Sequence, residues 1–325
     1  MYAIYIYGAR IRASQPIPRA PSNVKFGYPG RRARGDSQRR MPLKFSANLG
    51  FLWRGLPLPD AIRRAASAGF GAVECHWPYN ESTDCVKRAL LETGLPMVSV
   101  NTRRGDLRTG EMGVCAWRGR ESEAKAYIDE AFDFADAVDA AAVHVMCGNA
   151  PRTEDSCSTF EQNLLYASDR ARRCGKLVLI EALNQYDAPH YFLRDNEQAA
   201  AIIGKLGRTN LRIMFDCYHA QLIRGDVTNQ IKKFHSLIGH VQIASVPDRS
   251  VSYRPQQLME GVALGHFAVS TEPFACRSEP HLGELDYRHV IGVLQQYGFT
   301  GPIGAEYTPS NPAAPDFQWM KVLQV

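Results

Sequence analysis

Four polar residues follow apolar, strand-like stretches, and their side chains are of the types that bind divalent cations and transfer protons. Glu181 ends KLVLIE, Asp216 ends LRIMFD, Gln242 lies in GHVQIAS and Glu306 ends GPIGAE. Carboxylates brought together repel one another unless a cation lies among them. A ligand set made of oxygens suits Mg2+ or Mn2+ better than Zn2+. The residue types therefore predict a divalent-metal site, provided that the fold brings these strand ends together.

The elements that must position these residues alternate regularly from residue 41 onward. The predicted strands cover 43–49, 70–78, 96–102, 141–148, 176–184, 211–219, 238–245 and 301–309. The predicted helices cover 59–69, 81–92, 121–137, 156–174, 195–204, 226–235 and 286–297. Eight such units in about 270 residues predict a single-domain α/β fold, the (β/α)8 or TIM barrel. All strands of that barrel end on one face, so the four polar residues are expected to meet there.

Seven segments resemble the hydroxypyruvate isomerase family, a branch of the xylose-isomerase-like barrels. They are NLGFLW, HVMCG, VLIEALN, FDCYHAQ, GHVQIASVPDR, EPHLGELDY and GAEYTP, which occur in order between residues 42 and 310. The resemblance implies that Glu181 and Glu306 are the proton donor and acceptor, and that both bind the metal with Asp216 and Gln242. Sugar epimerases of the same superfamily usually carry histidine at the position of Gln242, which favours the isomerase branch.

The activity implied by the resemblance interconverts hydroxypyruvate and 2-hydroxy-3-oxopropanoate (tartronate semialdehyde) through an enediolate. Such a reaction needs a base and an acid on opposite sides of a planar intermediate, with positive charge near its oxygens. The candidate substrate-binding residues at the same mouth are His219, His144, Arg249 and Glu74. His76 shares the strand end with Glu74, and His240 shares a strand face with Gln242. Each of them could instead be an ordinary hydrogen-bonded polar residue.

The segment 251–277 interrupts an otherwise regular spacing. Glu181, Asp216 and Gln242 are 35 and 26 residues apart, whereas Glu306 follows Gln242 by 64. In members of the hydroxypyruvate isomerase family, a P-D-R-like turn is followed directly by E-P-x-x-G-E-x-x-Y. Removing these 27 residues leaves an ordinary interval of 37 residues between Gln242 and Glu306. Two interpretations are open. The segment is a retained intron, because its initial Val-Ser can be encoded by a splice-donor-like string, or it is a genuine lid.

Charge is distributed unevenly along the chain. Residues 1–40 hold nine Lys and Arg against one acidic residue, so subtracting their net +8 from the total of +5 leaves −3 for the rest. This leader is interpreted as a disordered extension, with an organellar transit peptide or a nucleic-acid arm as alternatives. Eight scattered cysteines without metal-site spacing indicate a reducing compartment, taken as the cytoplasm. No stretch approaches the length of a membrane span.

The expected partner is therefore a small 2-oxo acid, with neither nucleic acid nor membrane, and the chain could form a homo-oligomer. Three other classes of function remain open. The same residues could serve a 2-oxo-tetronate isomerase or a sugar epimerase, since substrate size is decided by the pocket. A non-catalytic binding protein is the second alternative. An abasic-site endonuclease is the third, although it would require a histidine-rich zinc site and a basic groove.

Overall fold

Eight parallel strands form the centre of the computed structural model, which describes residues 43–246 and 279–323. The strands are β1 Phe45–Asn48, β2 Ala72–Glu74, β3 Ser99–Asn101, β4 Ala142–His144, β5 Leu177–Glu181, β6 Leu211–Asp216, β7 Ile238–Ile243 and β8 Ile303–Ala305. Each is shorter than its predicted stretch, because the flanking apolar residues pack in loops at the strand ends. The predicted barrel is confirmed.

Helices connect the strands and cover the outside of the barrel. They are α1 Leu58–Ser67, α2 Thr83–Thr93, α3 Glu121–Ala137, α4 Glu154–Arg173, α5 Asn196–Leu206, α6 Cys217–Ile223, α7 Val227–Phe234, α8 Tyr287–Gln296 and α9 Trp319–Leu323. Polar side chains cap several of them; the Asp195 carboxylate, for example, accepts a hydrogen bond from the backbone N–H of Gln198 over 2.7 Å at the start of α5. Two short 3-10 turns, Leu107–Thr109 and Pro280–Leu282, lie in the connections.

The strand order is β2-β1-β8-β7-β6-β5-β4-β3, and the barrel closes between β2 and β3. Backbone hydrogen bonds join these two strands, from Val98 N to Val73 O over 2.7 Å and from Cys75 N to Ser99 O over 3.1 Å. Because all eight strands are parallel, their carboxyl ends lie on one face of the closed barrel.

Alternate residues along the strands separate into two cores. Val178 and Ile180 of β5 belong to the large outer core between strands and helices, whereas Leu179 packs with Ala142 and Met214 in a small separate cluster. This parity is the two-residue period of a strand, in which successive side chains point to opposite faces. It directs Glu181, two residues after Leu179, to the inner side of the barrel at its mouth.

The predicted strand over 211–219 is wrong at its end. The strand stops at Asp216, whose carboxylate accepts a hydrogen bond from the backbone N–H of Tyr218 over 2.8 Å and so caps helix α6. The aromatic and cysteine residues of DCYH favour a strand by composition, but the capping carboxylate starts a helix there. The short helix α9 was also missed.

Several predictions fall outside the described residues. The leader 1–40, the segment 251–277 and Arg249 are among them. Within the described ranges, no helix is both long enough and apolar enough to cross a membrane, and the seven cysteines found there form no disulfide.

Candidate active site

The carboxyl ends of the strands place the predicted residues around one mouth. Glu181 ends β5, Asp216 ends β6, and Gln242 lies beside Asp216 in the register of β6 and β7. Glu306 directly follows β8. All four side chains are buried, with exposed fractions between 2% and 6%. Burial at this level requires each of these polar groups to be compensated by a neighbour or a bound ligand.

Glu181, Asp216 and His219 form a group that could hold a metal ion. One ligand atom from each lies within 4.8 Å of the others, and all three residues are buried. The Nε2 atom of His219 is 3.9 Å from Glu181 Oε1 and 3.8 Å from Asp216 Oδ2. Two of the four predicted ligands, Glu181 and Asp216, are therefore brought together, and a histidine lies beside them.

The orientation of the His219 ring is set by its other nitrogen. Nδ1 accepts a hydrogen bond from the backbone N–H of Asn184 over 3.0 Å, and Nδ2 of the Asn184 amide lies 2.7 Å away. That amide is itself fixed, since its oxygen accepts from the backbone N–H groups of Tyr186 and Asp187. Because Nδ1 is an acceptor, the neutral ring carries its hydrogen on Nε2, facing the two carboxylates. His219 is thus oriented as a donor toward the site.

Gln242 contributes an amide oxygen whose direction is fixed from behind. Its Nε2 donates to Glu74 Oε1 over 2.9 Å. Its Oε1 is buried and has no hydrogen-bond partner among the residues that the structure describes. An amide oxygen in this position is a ligand of the kind that Mg2+ and Mn2+ accept. The oxygen donors of Glu181, Asp216 and Gln242 therefore fit a hard divalent cation.

Glu306 lies outside the three-residue group and has contacts of its own. Its Oε1 accepts from Asn48 Nδ2 over 3.1 Å and lies 3.2 Å from His76 Nε2. His76 in turn packs edge-on against Phe51, with ring centroids 5.5 Å apart. A Cβ atom on Gly50 would lie 2.2 Å from the His76 ring, so a residue without a side chain is needed there. The role of Glu306 as a metal ligand remains a prediction.

His144 ends β4 and lies close to Glu181. Its Nδ1 is 3.7 Å from Glu181 Oε2. Burial lowers the pKa of His144 to about 3, although the Glu306 carboxylate opposes this shift. Neither ring nitrogen has a hydrogen-bond partner within the described ranges. A neutral, buried imidazole without partners can serve a bound polar ligand.

Glu74, whose substrate-binding role stays a prediction, ends β2. It is 1% exposed, and its carboxylate contacts His240, Gln242 and Asn48. Asn48, Asn184 and the contact of His76 with Glu306 were not assigned roles from the sequence. Asn48 ends β1, so the rule that found the other four residues, a polar side chain closing an apolar strand, applies to it as well.

Similarity to known proteins agrees with the geometry. A model of the family described as "Xylose isomerase-like TIM barrel" matches residues 62–323. The chain belongs to the xylose isomerase-like TIM barrel family. A Danio rerio protein named "Putative hydroxypyruvate isomerase" is 34% identical over 289 residues, covering 86% of this chain and 95% of that relative. A 2-oxo-tetronate isomerase of Cupriavidus necator is 33% identical, covering 86% and 97%. This member of the family is an isomerase.

Solved structures show the same barrel. The crystal structure of an AP endonuclease, family 2, from Brucella melitensis is 33% identical, with a TM-score of 0.75, and the match covers 88% of this chain and all of that one. An Escherichia coli 3-keto-D-glucoside 4-epimerase is 18% identical with a TM-score of 0.64, covering 86% and 97%, and supports the fold alone.

Proposed function

We propose that this isomerase interconverts hydroxypyruvate and 2-hydroxy-3-oxopropanoate, with Glu181 and Glu306 as the two proton-transfer groups. The observation that carries the proposal is the presence of two buried carboxylates at the same mouth, Glu181 as the last residue of β5 and Glu306 directly after β8. A planar intermediate between them would have one carboxylate toward each side, as a two-base isomerisation requires.

In the proposed reaction one glutamate removes a proton from C3 of hydroxypyruvate, next to the carbonyl carbon. The enediolate that forms spans C2 and C3. The proton of the C3 hydroxyl then passes to the oxygen on C2, and the second group returns a proton to C2, which leaves the aldehyde at C3. His219 Nε2, fixed as a donor by Asn184, would stabilise the oxygens as they gain negative charge. The nitrogens of His144, which have no hydrogen-bond partner in the described part of the chain, would hydrogen-bond the substrate and help to fix its orientation.

A divalent cation, Mg2+ or Mn2+, would be held by Glu181, Asp216 and Gln242, with Glu306 as the further ligand that the resemblance implies. When bound it supplies positive charge at the substrate oxygens, which lowers the cost of forming the enediolate. The positions of the oxygen atoms of these side chains determine where the positive charge of the cation would lie. The identity of the cation is part of the proposal.

A four-carbon 2-oxo-tetronate is the second candidate substrate, favoured by the 33% identity to the 2-oxo-tetronate isomerase of Cupriavidus necator. Both substrates present the same 2-oxo acid group and the same acidic carbon, so the proton chemistry is shared. One added carbon changes binding by only about 1–3 kcal/mol in most pockets, and the two activities must therefore be compared directly.

The test is an assay of purified protein with hydroxypyruvate, a 2-oxo-tetronate and a ketose, each with Mn2+ and with chelator. We expect turnover of hydroxypyruvate, and deuterium from D2O in the product because a carboxylic acid exchanges its proton with water. Product formed without deuterium would contradict the two-glutamate mechanism. Turnover of the four-carbon acid alone would assign the second substrate, and turnover of none would refute the proposal.

A further inference from the structure

The buried carboxylate of Glu74, at the end of β2, contacts three side chains of other strands. Glu74 Oε2 contacts His240 Nε2, while Glu74 Oε1 accepts from Gln242 Nε2 over 2.9 Å and from Asn48 Nδ2 over 3.0 Å. Glu74 and His240 are each 1% exposed. With both oxygens bonded to protein, Glu74 has little capacity left to bind a substrate.

We propose that Glu74 is a positioning residue that fixes the Gln242 amide so that its oxygen is presented to a divalent cation. The inference rests on the proposed metal site and replaces the substrate-binding role that the sequence suggested for Glu74. An amide has a donor on one side and an acceptor on the other. If the Gln242 amide were reversed, its oxygen would face the Glu74 carboxylate, and two acceptors would oppose each other in a buried environment.

The surroundings of the Gln242 amide oxygen agree with this orientation of the amide. Oε1 is buried and without a partner in the described part of the chain, and Gln242 is the register neighbour of Asp216. A buried amide oxygen left without a donor is costly unless a ligand compensates it. Glu74 therefore holds one end of the amide while the other is available for the cation that Asp216 would also bind.

Gly304 provides the space that this arrangement needs. Gly304 lies on β8, between the strands that carry Glu74 and Gln242. In the strand register it is opposite Gln242 on β7 and opposite Ser46 on β1. A Cβ atom at residue 304 would lie 2.6 Å from Glu74 Oε1 and 2.9 Å from Gln242 Cγ. The absence of a side chain on β8 thus allows Glu74 of β2 to reach Gln242 of β7 across the intervening strands.

The same oxygen of Glu74 also fixes the residue that holds Glu306. Asn48 Nδ2 donates to Glu74 Oε1 and, over 3.1 Å, to Glu306 Oε1. One buried carboxylate therefore orients a neighbour of the metal site and a neighbour of a proposed proton-transfer group. Removing partners of this kind from behind metal ligands typically weakens metal binding by about 10–100-fold.

The experiment measures Mn2+ binding to the full chain by electron paramagnetic resonance of the free ion, without substrate. Four proteins form a double-mutant cycle: wild type, Glu74→Leu, Gln242→Leu and the double variant. We expect Glu74→Leu to raise the Kd for Mn2+ by about 10–100-fold in the wild-type background. In the Gln242→Leu background it should have little further effect, since both changes remove the same oriented oxygen.

A folded Glu74→Leu variant with unchanged Mn2+ affinity would overturn the inference, as would an equal loss in both backgrounds or a wild type that binds no Mn2+. If Glu74→Leu does not fold, Glu74→Gln keeps the volume but not the charge that selects the amide orientation. The same cycle then applies, with an expected rise in Kd of about threefold or more.

Ser46→Ala is the matched control, because the buried Ser46 hydroxyl has no hydrogen-bond partner within the described residues. Because no substrate is used, a failure to isomerise hydroxypyruvate would refute the proposed function but not this role.

Discussion

The backbone N–H of Asn184 donates to Nδ1 of His219 over 3.0 Å and thereby determines which nitrogen of that ring carries hydrogen. A metal ligand needs a lone pair on the nitrogen that faces the metal, whereas the neutral His219 ring presents an N–H toward Glu181 and Asp216. Proximity alone would group His219 with the carboxylates as a ligand. Its hydrogen bonding instead favours a donor to substrate oxygen.

Replacing His219 with Gln tests this assignment. We expect kcat/KM to fall by roughly 10^2-fold, the scale for loss of one donor to a developing oxyanion. Mn2+ affinity should stay within about threefold, because an N–H donor is not a ligand. Parallel kinetics and Mn2+ titration measure the two effects. A loss of Mn2+ affinity as large as that caused by Asp216→Asn would show that His219 binds the metal.

Replacing either glutamate should lower activity, and the replacement of Glu181 should do so without lowering stability. Glu181→Gln and Glu306→Gln keep the shape of the side chain but remove its proton-transfer capacity, so kcat should fall by about 10^2–10^4-fold in each. In chelator the melting temperature of Glu181→Gln should be unchanged or higher, because one of two neighbouring carboxylates has lost its charge. Near-normal turnover in both variants would exclude the proposed pair.

Gly50 and Gly55 offer a matched test of the His76 contact with Glu306. Alanine at 50 would place a Cβ atom 2.2 Å from the His76 ring, whereas a Cβ atom at 55 meets nothing within 4 Å. We expect Gly50→Ala to displace the ring and lower kcat by on the order of 10–100-fold, as small misplacements in active sites do. Gly55→Ala should retain wild-type kinetics. Equal activity of the two variants would show that His76 does not position Glu306.

The low pKa of His144 predicts a pH dependence of stability. Burial lowers it to about 3, below the ordinary value of 6.5, so the unfolded chain binds this proton more readily than the folded one. The contribution of this lowered pKa to the free energy of unfolding is fully present above pH 6.5. It is lost as pH falls toward 3, by about 1 kcal/mol per pH unit. In chelator, the free energy of unfolding of wild type should therefore fall more steeply over this window than that of His144→Gln. Parallel slopes would contradict the prediction.

The sequence by itself determined the barrel and the residues at its mouth. Glu181, Asp216 and Gln242 could be placed because a strand of alternating faces followed by a polar residue has a direction and an end that are local properties of the chain. The predicted helix over roughly 121–137 agrees with α3, Glu121–Ala137, because helical periodicity is also a local property of the chain. Helix α6 was missed because its start depends on one capping side chain, and apolar patterning does not register such a cap.

Only the tertiary structure decided which polar atoms face one another. Glu74 and Gln242 are 168 residues apart and meet because Gly304 leaves space between their strands. Asn48, which also donates to Glu74, contacts Glu306 across 258 residues of sequence. Neither contact can be predicted from neighbouring residues in the sequence, because distance and direction in the folded barrel determine which groups form hydrogen bonds. The chain specifies which groups reach the mouth, and their roles follow from the geometry that barrel closure imposes.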